Sequence, residues 1–178
     1  MHRYTRPIEE DMFNIVLLEP EIPQNTGNIA RTCAATNSVL HLIKPLGFSL
    51  DEKSLRRAGL DYWDKVTVKV YENLSDFYEQ NKKTIEEGAT CYYASTKAAK
   101  TYVDVSYKDG DFLFFGKETK GIDESILAAN YDHTVRIPMW GELRSLNLSN
   151  SVAILLYEAL RQVGFEHFTL TGKLRGGE

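Results

Sequence analysis

Phe112-Leu-Phe-Phe-Gly116 is a run of large apolar side chains closed by a glycine. Neighbouring side chains of a strand point to opposite faces, so this run needs cover on both sides, as a central strand of a parallel sheet has. Asn14-Ile-Val-Leu-Leu18 and Val39-Leu-His-Leu-Ile43 share that character. The first ends at Glu19-Pro20 and the second at Lys44-Pro45-Leu46-Gly47, where proline and glycine stop regular structure. Between them a loop is predicted from Pro20 to Gly27. A helix follows over Asn28-Ile-Ala-Arg-Thr-Cys-Ala-Ala-Thr36, whose small and apolar residues suit packing on a sheet.

Further out, Val66-Thr-Val-Lys-Val70 alternates β-branched and charged residues and reads as a strand. Thr90-Cys-Tyr-Tyr-Ala-Ser95 and Thr134-Val-Arg-Ile-Pro138 are further strands. Helices are predicted from Asp51 to about Ala58, capped by Asp51 and stopped by Gly59, and from Asp76 to about Glu87, capped by Ser75 and ended by Gly88. Another spans Asp123 to Asn130, and Leu146 to Val163 should be the longest. Strands alternating with helices indicate an α/β fold, a mainly parallel sheet with flanking helices and right-handed crossovers. No repeat, linker or second domain interrupts it. The expected organisation is an N-terminal extension over residues 1–12, a domain over 13–166 and a C-terminal tail over 167–178.

With 178 residues, 43% hydrophobic and 26% charged, the chain has the make-up of a globular protein able to bury a core. No apolar run approaches the roughly 20 residues that cross a bilayer, and the polar, acid-bearing Met1–Asp11 does not resemble a signal peptide. Cys33 and Cys91 lie far apart in apolar stretches and read as small buried residues of a reduced, cytoplasmic protein. His2, His41, His133 and His167 are scattered singly, so no metal site is expected. A net charge of −4 argues against gripping nucleic acid through the overall field. It leaves room for local basic groups, and Arg136, Arg144, Arg161, Lys173 and Arg175 crowd the C-terminal third.

Ligands of open parallel sheets bind beyond the carboxyl ends of the strands. Three unusual loops occupy such ends: Pro23-Gln-Asn-Thr-Gly-Asn-Ile-Ala-Arg31, Phe115-Gly-Lys-Glu-Thr-Lys-Gly121 and Pro138-Met-Trp-Gly-Glu-Leu-Arg-Ser-Leu-Asn-Leu-Ser-Asn-Ser151. Each joins glycine, which lets a ligand approach the backbone, to amides, hydroxyls or arginine. Gly116 to Gly121 has the glycine spacing of a P-loop, but Ile122 stands where its lysine must be. No G-x-G-x-x-G follows the first strand, and Ser145, Ser149 and Ser151 have no evident His/Asp partners. Kinase, dehydrogenase and hydrolase readings therefore lose ground. The crowding of Ser145, Asn147, Ser149 and Asn150 ahead of the apolar Val152-Ala-Ile-Leu-Leu156 exceeds what one helix cap requires and favours a ligand site.

Asn25-x-Gly27-Asn28-x-x-Arg31, Phe115-Gly-x-Glu-x-x-Gly121 and Ile137-Pro-Met…Arg144-Ser-Leu-Asn-Leu-Ser-Asn150 resemble, in order and spacing, the three motifs of the SPOUT (trefoil-knot) RNA methyltransferases. Leu18-Glu-Pro-Glu-Ile-Pro-Gln-Asn-Thr-Gly-Asn-Ile29, Pro45-Leu-Gly-Phe48 and Leu55-Arg-Arg-Ala-Gly-Leu-Asp-Tyr62 narrow the likeness to the tRNA (cytidine/uridine wobble) 2′-O-methyltransferase group. It covers about Phe13 to Gly164. The resemblance implies a C-terminal trefoil knot, S-adenosyl-L-methionine as methyl donor without a metal, and a homodimer with a shared active site. It places the donor against Ala94, Gly116, Ile137, Ser145 and Asn147, although the family often carries a larger aliphatic residue where Ala94 stands. It counts Arg31, Asn25, Glu118 and Ser145 as the catalytic set and puts Tyr157 at the dimer contact.

Methyl transfer to a ribose hydroxyl is an in-line displacement that depends on positioning. A guanidinium stays charged and accepts no proton. Arg31 therefore suits holding a neighbouring phosphate and stabilising the developing alkoxide, with that phosphate or water taking the proton. Asn25 and Glu118 either orient the loops and Arg31 or are purely structural. Lys53, Arg56 and Arg57 suit phosphates of the tRNA anticodon stem-loop, the alternative being a solvated helix surface. Tyr62 and Trp63 either stack on a base or pack in the core. Two other functions stay open: a catalytically silent knotted protein that only binds RNA or cofactor, and a ribosomal RNA 2′-O-methyltransferase.

Overall fold

The computed structural model describes residues 13–51, 54, 63–165 and 167–174. Its strands are β1 (Asn14–Leu18), β2 (Val39–Ile43), β3 (Val68–Tyr71), β4 (Cys91–Ala94), β5 (Lys100–Thr101), β6 (Phe112–Phe115) and β7 (Thr134–Arg136). The helices are α1 (Pro23–Thr36), α2 (Leu74–Gln80), α3 (Lys82–Glu86), α4 (Glu124–Ala129) and α5 (Leu148–Gln162). The strands form one sheet in the order β3-β2-β1-β6-β4-β7-β5, every pairing parallel. This is the parallel α/β sheet that the apolar runs predict.

Burial on both faces is visible residue by residue. Ile15 and Leu17 of β1, with Leu113 and Phe115 of β6, join the core beneath α1 and α5. Their alternates Val16, Leu18, Phe112 and Phe114 join a second core on the other face. There Phe77 of α2 meets Phe112 and Phe114 edge-on, with ring centres 5.4 and 5.3 Å away, an arrangement that aligns ring edges with ring faces. No strand is left with a wet face at the centre of the sheet.

One polar network runs through the second core. Asn14 Nδ2 donates to Gly110 O at 2.9 Å, and Asn14 Oδ1 lies 2.9 Å from His41 Nε2. That amide oxygen can only accept, so Nε2 carries the proton and Nδ1 accepts from the Tyr71 hydroxyl at 2.8 Å. Asn81 Nδ2 completes the chain, donating to the Tyr71 oxygen at 3.2 Å. Burial makes an imidazolium costly here and pushes the His41 pKa down to about 3. His41 is thus a neutral, fully partnered core residue.

The elements depart from expectation at their ends. α1 begins at Pro23, five residues ahead of the predicted start at Asn28, because proline fits the first helical turn, where its missing N–H costs nothing. The predicted loop from Pro20 to Gly27 is therefore mostly helix. Asn73, not Ser75, caps α2, accepting from Asp76 N at 2.9 Å, and Asn81 splits the predicted helix into α2 and α3. β3 covers Val68–Tyr71, shifted from 66–70, and the two-residue β5 lies in the polar stretch ahead of Phe112, where no strand is predicted. Asp51 Oδ1 accepts from Ser54 N at 2.9 Å, as a cap would; the rest of the helix predicted to Ala58 lies outside the described residues.

Candidate functional site

The three loops singled out in the sequence meet at the carboxyl ends of β4, β6 and β7, around a cleft of about 510 Å3. Ala94 closes β4, Gly116 follows β6, and Ile137 follows β7, while Ser145 and Asn147 come from the segment that leads into α5. All five residues tied to the donor by resemblance line this single cleft, as do Asn25 and Glu118. Small-molecule sites commonly measure roughly 300–1,000 Å3.

The loop after β6 owes its shape to Gly116. A Cβ there would stand 2.0 Å from the Gly121 carbonyl carbon and 2.2 Å from Ile122 N, far inside van der Waals contact. Without a side chain at 116 the chain folds back on itself, and Gly121 N donates to Lys117 O at 2.8 Å. Gly121 takes a φ of +72°, a conformation glycine adopts without strain. Glu21 fastens the loop from across the cleft, its carboxylate accepting from Thr119 N at 3.0 Å and Thr119 Oγ1 at 3.1 Å.

Glu118 anchors the segment that leads into α1, whose N-cap Ile22 has no capping side chain. Its Oε2 accepts from Glu21 N at 2.8 Å, and its Oε1 from Ile22 N at 3.1 Å and Asn25 Nδ2 at 3.1 Å. A carboxylate set against a helix N-terminus also meets the favourable end of the helix dipole. Asn25 passes the connection on: its Oδ1 accepts from Asn147 Nδ2 at 3.0 Å. Asn147 Oδ1 in turn accepts from Ser149 N at 2.9 Å and Ser149 Oγ at 2.6 Å, capping α5. Glu118, Asn25 and Asn147 thus couple the starts of two helices to the glycine loop. The Pro45-Leu-Gly-Phe48 segment supports α1 from behind: Gly47 N donates to Pro20 O at 2.9 Å, and a Cβ on Gly47 would come within 2.6 Å of Glu21 O.

Charge gathers at the cleft against the sign of the chain. Lys97, Lys117, Lys120 and Arg144 line it, with Glu118 the acid among them. Lys117 Nζ lies 2.5 Å from Glu19 Oε2, and that carboxylate holds the ammonium pKa above its ordinary value. Lys97 pairs with Glu124, which keeps the Glu124 carboxyl below the usual range. Among the described residues no group of three or more His, Cys, Asp or Glu side chains is placed to hold a metal ion.

Arg31 lies apart. It is exposed on α1, on the stripe of Gln24, Asn28 and Arg31, and does not line the cleft of its own chain. On α5 the exposed stripe includes Ile154 and Tyr157. Trp63 is half-buried and packs against the core beneath α1 and α5, whereas Lys53, Arg56, Arg57 and Tyr62 fall outside the described residues. Cys33 is buried and Cys91 half-buried, and desolvation pushes both thiols up to about 12, which leaves them unreactive. Sequence reasoning missed Thr96 and Lys97, which follow β4 at the same end of the sheet; lacking glycine, their loop carried no mark except its position. It also missed the role of Glu21.

Residues 12–157 match the model of the SpoU rRNA Methylase family. A protein of Listeria monocytogenes, named provisionally as a tRNA (cytidine(34)-2′-O)-methyltransferase, is 52% identical over 155 residues, covering 85% of this chain and 89% of its own. A solved structure from Bacillus anthracis, provisionally described as an RNA methyltransferase, superposes with a TM-score of 0.82 at 48% identity, covering 89% of this chain and 98% of that one. Another, from a study of 2-OH methylation of C/U34 on tRNA, gives a TM-score of 0.79 at 42% identity, covering 88% and 99%.

Proposed function

From the premise that this chain belongs to the SpoU rRNA Methylase family, we propose that it transfers a methyl group from S-adenosyl-L-methionine to the 2′-hydroxyl of the wobble ribose of tRNA, cytidine or uridine. The observation that carries the reading is the convergence of Ala94, Gly116, Ile137, Ser145 and Asn147 on one cleft beyond the carboxyl ends of parallel strands. The family description names rRNA, but the relative at 52% identity and the structure concerned with C/U34 are both tied to tRNA. No helix among the described residues is long and apolar enough to cross a membrane, and a tRNA substrate places the work in the cytoplasm.

The residues present fit such a donor. Gly116 and Gly121 line the cleft without side chains, and half-buried Ala94 and Ile137 offer apolar walls. The donor supplies an electrophilic methyl group on a sulfonium. Ser145 and Asn147 hold the segment beside it, with Asn147 fixed by Asn25 and by its own cap of α5. Glu118 and Asn25 act as positioning residues, keeping α1 and the glycine loop in register. Arg31 is exposed and does not line its own cleft, and the reading includes a homodimer in which the partner's Arg31 reaches in, packed through the face that exposes Ile154 and Tyr157. A guanidinium there clamps the phosphate beside the target ribose and stabilises charge developing on its oxygen. Lys53, Arg56 and Arg57 would add phosphate contacts along the anticodon stem. A C-terminal trefoil knot belongs to the same reading.

Nucleoside mass spectrometry of tRNA from a strain lacking the gene should show loss of one ribose methylation at the wobble position, restored by the wild-type gene and not by Arg31→Ala. Unchanged tRNA with an altered ribosomal RNA methylation would move the substrate to the ribosome. Cofactor binding without loss of any methylation would make the protein a silent binder.

A further inference from the structure

We propose that Trp140 is a stacking platform for a nucleobase of the RNA substrate at the lip of the donor cleft, a specificity-determining contact that rests on the RNA methyltransferase reading above. Trp140 is 94% exposed, more than any other large apolar side chain described. Tryptophan is ordinarily among the most extensively buried residues, so an indole held almost wholly in water calls for a partner. Its place in the chain gives the direction. Met139 on one side and Arg144 and Ser145 on the other line the cleft, while residues 140–143 between them are all exposed. Gly141, at a φ of +67°, turns the chain directly after the indole. The ring therefore stands one residue beyond the cleft wall.

The surroundings select the occupant. Of the cations around the cleft, Lys97 and Lys117 are paired with Glu124 and Glu19, whereas Lys120 and Arg144 have no acidic partner among the described residues. In a chain of net charge −4, these cations beside an open aromatic face suit a polyanion that also carries flat rings. Single-stranded nucleic acid is bound in this way, with phosphates on cations and bases on aromatic side chains. The target ribose sits in a loop whose bases can unstack, so a neighbouring base is available to the indole.

The chain has two tryptophans, and a Trp63→Phe background leaves Trp140 as the reporter. Titration with an anticodon stem-loop RNA in the presence of S-adenosylhomocysteine should quench its fluorescence saturably. In steady-state methylation, Trp140→Ala should raise the KM for RNA about tenfold, with kcat and the Kd for donor within twofold, and Trp140→Phe should restore most of the loss. A KM within twofold of wild type together with no quenching overturns the proposal. A weakened donor Kd at constant RNA KM also overturns it and makes the indole a cover for the donor. A shift to monomer in sedimentation would instead make it a contact between copies. Were the wild-type protein to methylate no RNA, the reading of function would fail, while the quenching experiment would still decide whether the ring takes a base.

Discussion

His41 shows what a single buried group imposes. An unfolded chain protonates it near 6.5, whereas the folded core resists protonation down to about 3. Between those values the unfolded state binds more protons, so stability falls as pH drops below about 6.5. The contribution from this residue approaches ~1.4 kcal/mol per pH unit. Chemical denaturation at pH 7 and pH 5 should reveal that slope, and His41→Gln should flatten it while lowering stability at both. Gly116 sets a steric limit instead. Gly116→Ala forces a methyl group onto the backbone of Gly121 and Ile122. It should cost about 3 kcal/mol, the upper range for overpacking, and abolish donor binding by calorimetry. Thr26 is the converse case: its buried hydroxyl has no hydrogen-bond partner among the described residues. Thr26→Val should therefore raise the unfolding free energy by about 1 kcal/mol.

Between elements, α1 takes its N-terminal cap from a distant loop, since Glu118 supplies what Ile22 cannot. Glu118→Gln turns one accepting oxygen into a donor facing other donors, and should cost about 1–3 kcal/mol. In a double-mutant cycle, Asn25→Ala and Glu118→Ala should couple by roughly 0.5–3 kcal/mol, because each removes a partner of the other. A coupling near zero would separate the two loops energetically. This arrangement also explains which elements were legible. β1 and β2 could be read at their true bounds and β6 up to its closing glycine because their apolar runs are continuous, and α5 could be placed to within two residues because its stripe is long. The start of α1 was harder to read, because Ile22 offers no capping side chain and Pro23 is the single local mark, while Glu118, which accepts from the Glu21 and Ile22 amides, lies far along the chain. The split at Asn81 was hidden likewise: its amide serves the buried Tyr71 and the Phe77 carbonyl, a tertiary demand that outweighs helix continuity.

At the scale of the molecule, the three loops that line the cleft were legible because glycines and amides at strand ends mark a ligand site on an open parallel sheet, whereas Ala94 and Ile137 came only through the family resemblance and Thr96 and Lys97 carried no mark. Arg31 is singled out by motif alone; it is exposed on α1 and does not line the cleft of its own chain, and the proposed homodimer would bring it to the cleft of a partner. A mixture of Arg31→Ala with a Ser145→Trp protomer tests that arrangement. Each homodimer should be inactive, and random mixing should recover about a quarter of wild-type activity, since half the dimers carry one intact site of two; no recovery would rule out sharing. The bonds that build the cleft also say when it can exist. They join residues 97, 93 and 122 positions apart, from Glu21 to Glu118, Asn25 to Glu118 and Asn25 to Asn147, and β1 waits equally long for β6. Contacts of such separation form late in folding, and a chain still leaving the ribosome has no second half to offer them. A nascent chain therefore has no donor cleft until Asn147 has joined Asn25 and Glu118, so the cleft is gained in one step and not loop by loop.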